Sequence, residues 1–224
     1  MKRIKLRERK LPKYTRGEEV FNMVTHIVGG ALGIVALFLC VIFAAIHNNT
    51  FGIVSGVIYG ISMILLYTIS SIYHGLKPDR TSKKVLQVLD HCTIFLLIAG
   101  SYTPFLLCTI RAVDPLFCWI LFGIVWGFAI LGVVLNAIDL DRYKVFSVIC
   151  YIAMGWCIII KITELPKLLG IPGFVLLLSG GIAYTVGTIF YGLGRTIKYM
   201  HSVFHLFIVL GSLLQFLCIL LYVM

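Results

Sequence analysis

The sequence predicts an all-α membrane protein: a seven-transmembrane helical bundle with a cytoplasmic N-terminus and an external C-terminus. Three observations carry that expectation. Hydrophobic residues make up 60% of the chain against 12% charged, well outside the balance of a soluble domain. Apolar runs recur from residue 20 to the end, each near the roughly 20 helical residues that cross about 30 Å of hydrocarbon. The connections are too short to hold another domain, so the chain divides into a basic cytoplasmic arm, 1–19, and one helical domain, 20–224.

The first run, 20–46, follows basic residues as a secretory signal would. It is too long for an h-region and opens on Asn22, Thr25 and His26, so it reads as a retained helix. The second, 51–75, carries Gly52, Ser55, Gly56 and Gly60 at spacings that let helices approach closely. Gly29, Gly30 and Gly33 in the first run invite the same packing role, as do Gly123 and Gly127 in the fourth (115–136) and Gly180, Gly181 and Gly187 in the sixth (171–193). The third, 86–110, contains Pro104, which removes a backbone donor and should bend the helix. Ser101, Tyr102 and Thr103 then lie beside a kink, either below a cavity or bonded to the freed carbonyls. The fifth run, 145–162, is the shortest, and the seventh covers 200–223. Loops are expected at 47–50, 77–85, 111–114, 137–144, 163–170 and 194–199.

Orientation follows the basic residues, which mark cytoplasmic segments. Lys2, Arg3, Lys5, Arg7, Arg9, Lys10, Lys13 and Arg16 crowd the N-terminal arm, and Lys77, Arg80, Lys83, Lys84, Arg142, Lys144, Arg195 and Lys198 fall in alternate loops. Only Arg111, Lys161 and Lys167 lie on the other side. The same distribution accounts for the net charge of +10 without nucleic acid, because a juxtamembrane basic arm meets anionic headgroups at about 1 kcal/mol per cation. The expected partners are therefore the lipid bilayer and its headgroups, in a multi-pass protein of the cell membrane. The 7 cysteines are odd in number and form no C-x-x-C pair, which fits small buried hydrophobes. No internal repeat is evident.

If successive runs alternate direction, the polar residues at their ends share one face. Ser70 and His74 close the second run, Asp90 and His91 open the third, His201 and His205 open the last, and Asn22 and His26 begin the first. Such residues are costly in hydrocarbon and mark function by default. His201 and His205, four apart, project from one helix face about 6 Å apart along the axis. With His74 they offer three imidazoles and an open fourth position, the arrangement of catalytic zinc. Interfacial histidines are the plainer alternative. Asp90 has three possible roles at such a site, as ligand, general base or partner of a histidine; its plainer role is to cap the third helix. His91 is turned about 100° from Asp90 and reads as packing. Glu19, Asn22 and His26 are more fitted to hydrogen bonding than to ligation.

These residues also carry a resemblance. Glu19-x-x-Asn22-x-x-Thr25-His26, Ser70-x-x-x-His74, Asp90-His91 leading to Ala99-Gly100-Ser101-Tyr102-Thr103-Pro104, Met154-Gly155-Trp156 and His201-x-x-x-His205 together resemble the bacterial hemolysin III proteins. Those are relatives of the progestin and adipoQ receptors, including the adiponectin receptors, and more distantly of the alkaline ceramidases. The resemblance implies seven helices and Zn2+ near the cytoplasmic face. It implies His74, His201 and His205 as metal ligands, with Asp90 and Ser70 in the catalytic shell. The leading functional expectation is a zinc-dependent intramembrane hydrolase of a lipid amide or ester. The alternatives are a membrane-permeabilising cytolysin, and a seven-helix receptor whose metal is structural.

Overall fold

The computed structural model describes residues 6–224. Lys2, Arg3 and Lys5 of the basic arm lie outside the described residues, as does the side chain of Arg7. After a 3-10 turn at Leu6–Glu8, the chain forms α1 (Arg16–Ile46), α2 (Thr50–Gly75), α3 (Thr81–Pro104), α4 (Pro115–Trp156), α5 (Leu165–Leu193) and α6 (Met200–Tyr222). A π-helical segment at Phe105–Ile110 extends α3, and a 3-10 segment at Cys157–Lys161 extends α4. The protein is a multi-pass membrane protein, with 6 helices long and apolar enough to cross a bilayer.

That number corrects the expectation of seven. The predicted fourth and fifth runs belong to one element, α4, and the loop expected at 137–144 is helical on both sides of Asp139. The charges at Asp139, Asp141, Arg142 and Lys144 suggest a loop, but the stretch holds no Gly or Pro to stop a helix. Only Asp139 leaves helical dihedrals (φ −159°, ψ 91°). Its carboxylate accepts from the Arg142 amide at 3.2 Å, the geometry of an N-cap that restarts the helix. With six spanning elements, the odd-number reasoning that put the C-terminus outside no longer holds.

Other boundaries have local causes. Thr15 and Glu18 form a reciprocal capping box at α1. Asn49 and Asp114 cap α2 and α4 through the amides of Gly52 and Phe117, and Pro115 follows at the first turn of α4. The Lys161 ammonium, followed by the Phe117 amide, holds the Asp114 carboxyl below its usual range. Gly170 (φ 67°) interrupts α5 where only glycine is unstrained. At Pro104, Thr103 Oγ1 donates to Ala99 O and Ser101 Oγ to Ile98 O. The ladder then continues in π geometry, a usual outcome where the i−4 bond is lost.

α1 packs most extensively on α2, and α5 on α6, with α2–α3, α3–α4 and α1–α6 completing the bundle. The α4–α5 contact is slight by comparison. Gly60 explains the α1–α2 approach, since a Cβ there would lie 2.6 Å from Leu37 Cα. Gly123 and Gly127, expected at a packing seam, have nothing within 4 Å. In α4 the close approach falls instead at Gly132, against Phe95. Ser212 ties three helices, accepting from Tyr67 Oη at 2.6 Å and lying 2.8 Å from Tyr184 Oη.

Candidate metal centre

Three imidazoles from two helices remote in sequence converge at one end of the bundle. His74, in the last turn of α2, and His201 and His205, in the first turns of α6, each offer a ring nitrogen within 4.8 Å of the others, and all three are buried. His201 Nε2 and His205 Nε2 face one another at 3.2 Å. Two nitrogens of a tetrahedral site with bonds of 2.0–2.1 Å stand about 3.3 Å apart. The α6 pair therefore matches a ligand edge, and an approach of at most about 1.5 Å by the third ring completes the set.

The surroundings of His74 choose its free nitrogen. Glu19 Oε2 lies 2.6 Å from His74 Nδ1, and a carboxylate only accepts, so Nδ1 carries the proton. Nε2 is left with its lone pair, buried and without a hydrogen-bond partner. A carboxylate behind a histidine, with the opposite nitrogen bare, is the usual setting of a metal ligand. The residues present thus fit a bound divalent ion.

Two adjacent acids in the first turn of α1 position both ligand helices. Glu19 also accepts from Lys83 Nζ at 2.6 Å; this lysine is 1% exposed and also donates to Leu76 O at 2.9 Å. Glu18 Oε1 accepts from the Tyr199 amide at 2.7 Å. That bond holds a left-handed tyrosine (φ 63°) at the turn into α6, two residues before His201. Neither link is local, and the sequence marks Glu19 for hydrogen bonding without naming His74 or Lys83 as its partners.

The other predicted residues fall around this cluster. Ser70 is buried one turn before His74. Asp90 lies well past the first turn of α3, whose N-cap is Arg80, so it does not cap that helix. Both line an apolar cavity of about 180 Å³ together with His201, His205, Ser101 and Tyr102. Asp90, His91, Tyr191 and His201 also line a second, polar cavity of about 300 Å³. Of the three clustered histidines, His201 lines both cavities and His205 the apolar one, while His74 belongs to neither lining.

His91 points elsewhere, bonding Gln87 O through Nδ1 (2.9 Å) and Tyr191 Oη through Nε2 (3.2 Å). His26 stacks on His205 with centroids 3.8 Å apart, and neither of its ring nitrogens has a hydrogen-bond partner. Asn22 is fully buried, with both amide atoms likewise unpartnered. Tyr14, which sequence reasoning did not single out, stacks on His201 at 4.8 Å with an 18° interplanar angle. Burial, followed by the neighbouring Tyr191, pushes its phenol above the usual range, so a neutral ring covers the cluster. Cys92 is turned away, its thiol donating to Val133 O.

The family model for haemolysin-III-related proteins matches residues 14–216. The chain belongs to the haemolysin-III family. It is 42% identical over 207 residues to Hemolysin-3 of Bacillus cereus, covering 92% of each chain. It is 40% identical over 209 residues to the Hemolysin-3 homolog of Bacillus subtilis, covering 93% of this chain and 96% of that one. A more distant similarity, 24% over 200 residues, links it to the human monocyte to macrophage differentiation factor, across 88% of this chain and 77% of the relative. In this haemolysin-III-family protein the matched region contains every residue of the buried histidine cluster.

Proposed function

We propose that the protein is a zinc-dependent intramembrane hydrolase of a lipid amide or ester, with its site toward the cytoplasmic face. The observation that supports this best is that Asp90 and His201, the latter a member of the three-histidine cluster, line both an apolar and a polar cavity, with His205 and Ser70 in the apolar one. An acyl lipid has the same division, an apolar chain joined to a polar head through the carbonyl that hydrolysis attacks. When bound, zinc supplies Lewis acidity at that carbonyl and lowers the pKa of a water.

His74, His201 and His205 hold the ion, and Glu19 keeps the His74 proton on Nδ1. The Asp90 carboxylate accepts a proton from the attacking water and returns it to the departing amine or alcohol. The Ser70 hydroxyl donates to the oxygen that gains negative charge at the carbonyl. The apolar chamber wall holds the chain away from bulk water.

The test is release of fatty acid from a panel of lipid amides and esters by zinc-loaded protein in nanodiscs, followed by mass spectrometry. Turnover lost in Asp90→Asn and His205→Ala supports the reading. Full metal occupancy with no turnover of any substrate abandons it for a structural metal that ties α2 to α6. A second reading, membrane permeabilisation, rests on the name Hemolysin-3 carried by the bacterial relatives. Lysis of red cells by purified protein, unchanged in His74→Ala, would favour it.

A further inference from the structure

The polar cavity has a charge character that the hydrolase reading leaves unused. Five cations, Arg9, Lys10, Lys13, Lys144 and Arg195, line it against two carboxylates, Asp90 and Asp141. Asp141 is engaged by Arg9 at 3.2 Å, and Asp90 sits at the junction with the apolar chamber. Among the described residues, Lys10, Lys13, Lys144 and Arg195 take part in no ion pair. Arg195 instead lies 5.8 Å above the ring of Tyr191, which lines both cavities. Arg9 is 6% exposed, and its Nε, although beside Asp141, has no hydrogen-bond partner. A concave site with surplus positive charge focuses its field on an anion. Arginine forks together with lysine ammoniums suit phosphate or carboxylate oxygens.

We propose that this vestibule binds the acidic head of an acyl lipid whose chain occupies the apolar chamber, so that the substrate class is a lipid amide or ester bearing a phosphate or carboxylate headgroup. The proposal rests on the hydrolase reading for the position of the scissile carbonyl, between head and chain beside the histidine cluster. It differs from general attraction of a basic arm to a membrane surface. The cations come from three separate parts of the chain, the arm, α4 and the turn before α6, and their cavity shares Asp90 and His201 with the apolar chamber.

Binding tests this without turnover. Equilibrium affinities are measured for the full chain in dodecylmaltoside micelles with 1-oleoyl lysophosphatidic acid, with 1-oleoylglycerol, which lacks only the phosphate, and with glycerol 3-phosphate, which lacks only the chain. The expected result is at least about tenfold tighter binding of the phosphorylated lipid, given about 1 kcal/mol per basic contact. The preference should be lost in Lys13→Gln/Lys144→Gln/Arg195→Gln, while 1-oleoylglycerol binding stays unchanged. Equal affinities for the two lipids, or a preference that survives the triple substitution, would overturn the proposal. So would glycerol 3-phosphate binding as tightly as the phospholipid, which would assign the vestibule to free phosphate. A preserved preference with no hydrolysis would sink only the hydrolase reading, and hydrolysis with no preference only this one.

Discussion

Replacing Glu19 by Gln keeps the shape of the side chain and removes the charge that two buried donors share. One carboxylate oxygen accepts from His74 Nδ1 and the other from Lys83 Nζ, both at 2.6 Å. An amide offers one acceptor and one donor, so either the imidazole or the ammonium faces an N–H. Lys83 is 1% exposed and retains its bond to Leu76 O and its place 5.0 Å over the Tyr73 ring, but no anion. Breaking a buried pair in this way costs about 3–5 kcal/mol of stability. The lost support for His74 should lower metal affinity about 10–100-fold, or roughly 1.4–2.7 kcal/mol. Zinc affinity is read by competition with a chelating chromophore, and stability by thermal unfolding in detergent. Adding Lys83→Met removes the stranded ammonium, and should recover most of the stability and none of the affinity. Wild-type affinity in Glu19→Gln, or affinity restored by Lys83→Met, would mean that Glu19 does not support His74 as a ligand.

Tyr14→Ala uncovers His201, so zinc should be lost to EDTA several-fold faster than from wild type, with the stoichiometry at saturation unchanged; stopped-flow chelation reads this. Gly60→Val drives a side chain into the Leu37 backbone and should destabilise the α1–α2 pair by about 1–3 kcal/mol. Gly123→Ala, with nothing within 4 Å, should be neutral or stabilising by up to about 1 kcal/mol, because alanine is the better helix former, and thermal unfolding of the two variants side by side checks both. Asp139→Ala removes the cap from the second part of α4 and should cost about 1 kcal/mol. Proteolysis near 137–144 should rise with it.

Sequence patterns fixed by local chemistry were legible, and those set by distant partners were not. The ends of α2 and α6 fell within a residue or two of their expected places, because composition changes sharply there. The break in α4 was misjudged because four charges within eight residues look like a loop, whereas one aspartate leaves the helix and caps its continuation. His74, His201 and His205 could be grouped from helix spacing and depth alone. The clamps behind them could not, since Glu19 acquires its role from His74 and Lys83, and Glu18 from Tyr199. Nothing in the arm distinguishes Tyr14 until it lies on His201. Small-residue spacing gave Gly60 a close-packing role, which it fills against Leu37 of α1, yet gave Gly123 and Gly127 a packing role that fell to Gly132. Periodicity shows a face without showing what covers it.

Whether His74, His201 and His205 form one metal site is read by elemental analysis of detergent-purified protein. The wild type should hold about one zinc per chain after zinc supplementation, and both His74→Ala and His205→Ala should lose it while the helical content of each variant is retained. A wild type that takes up no metal, or variants that keep the full complement, would contradict a three-histidine site.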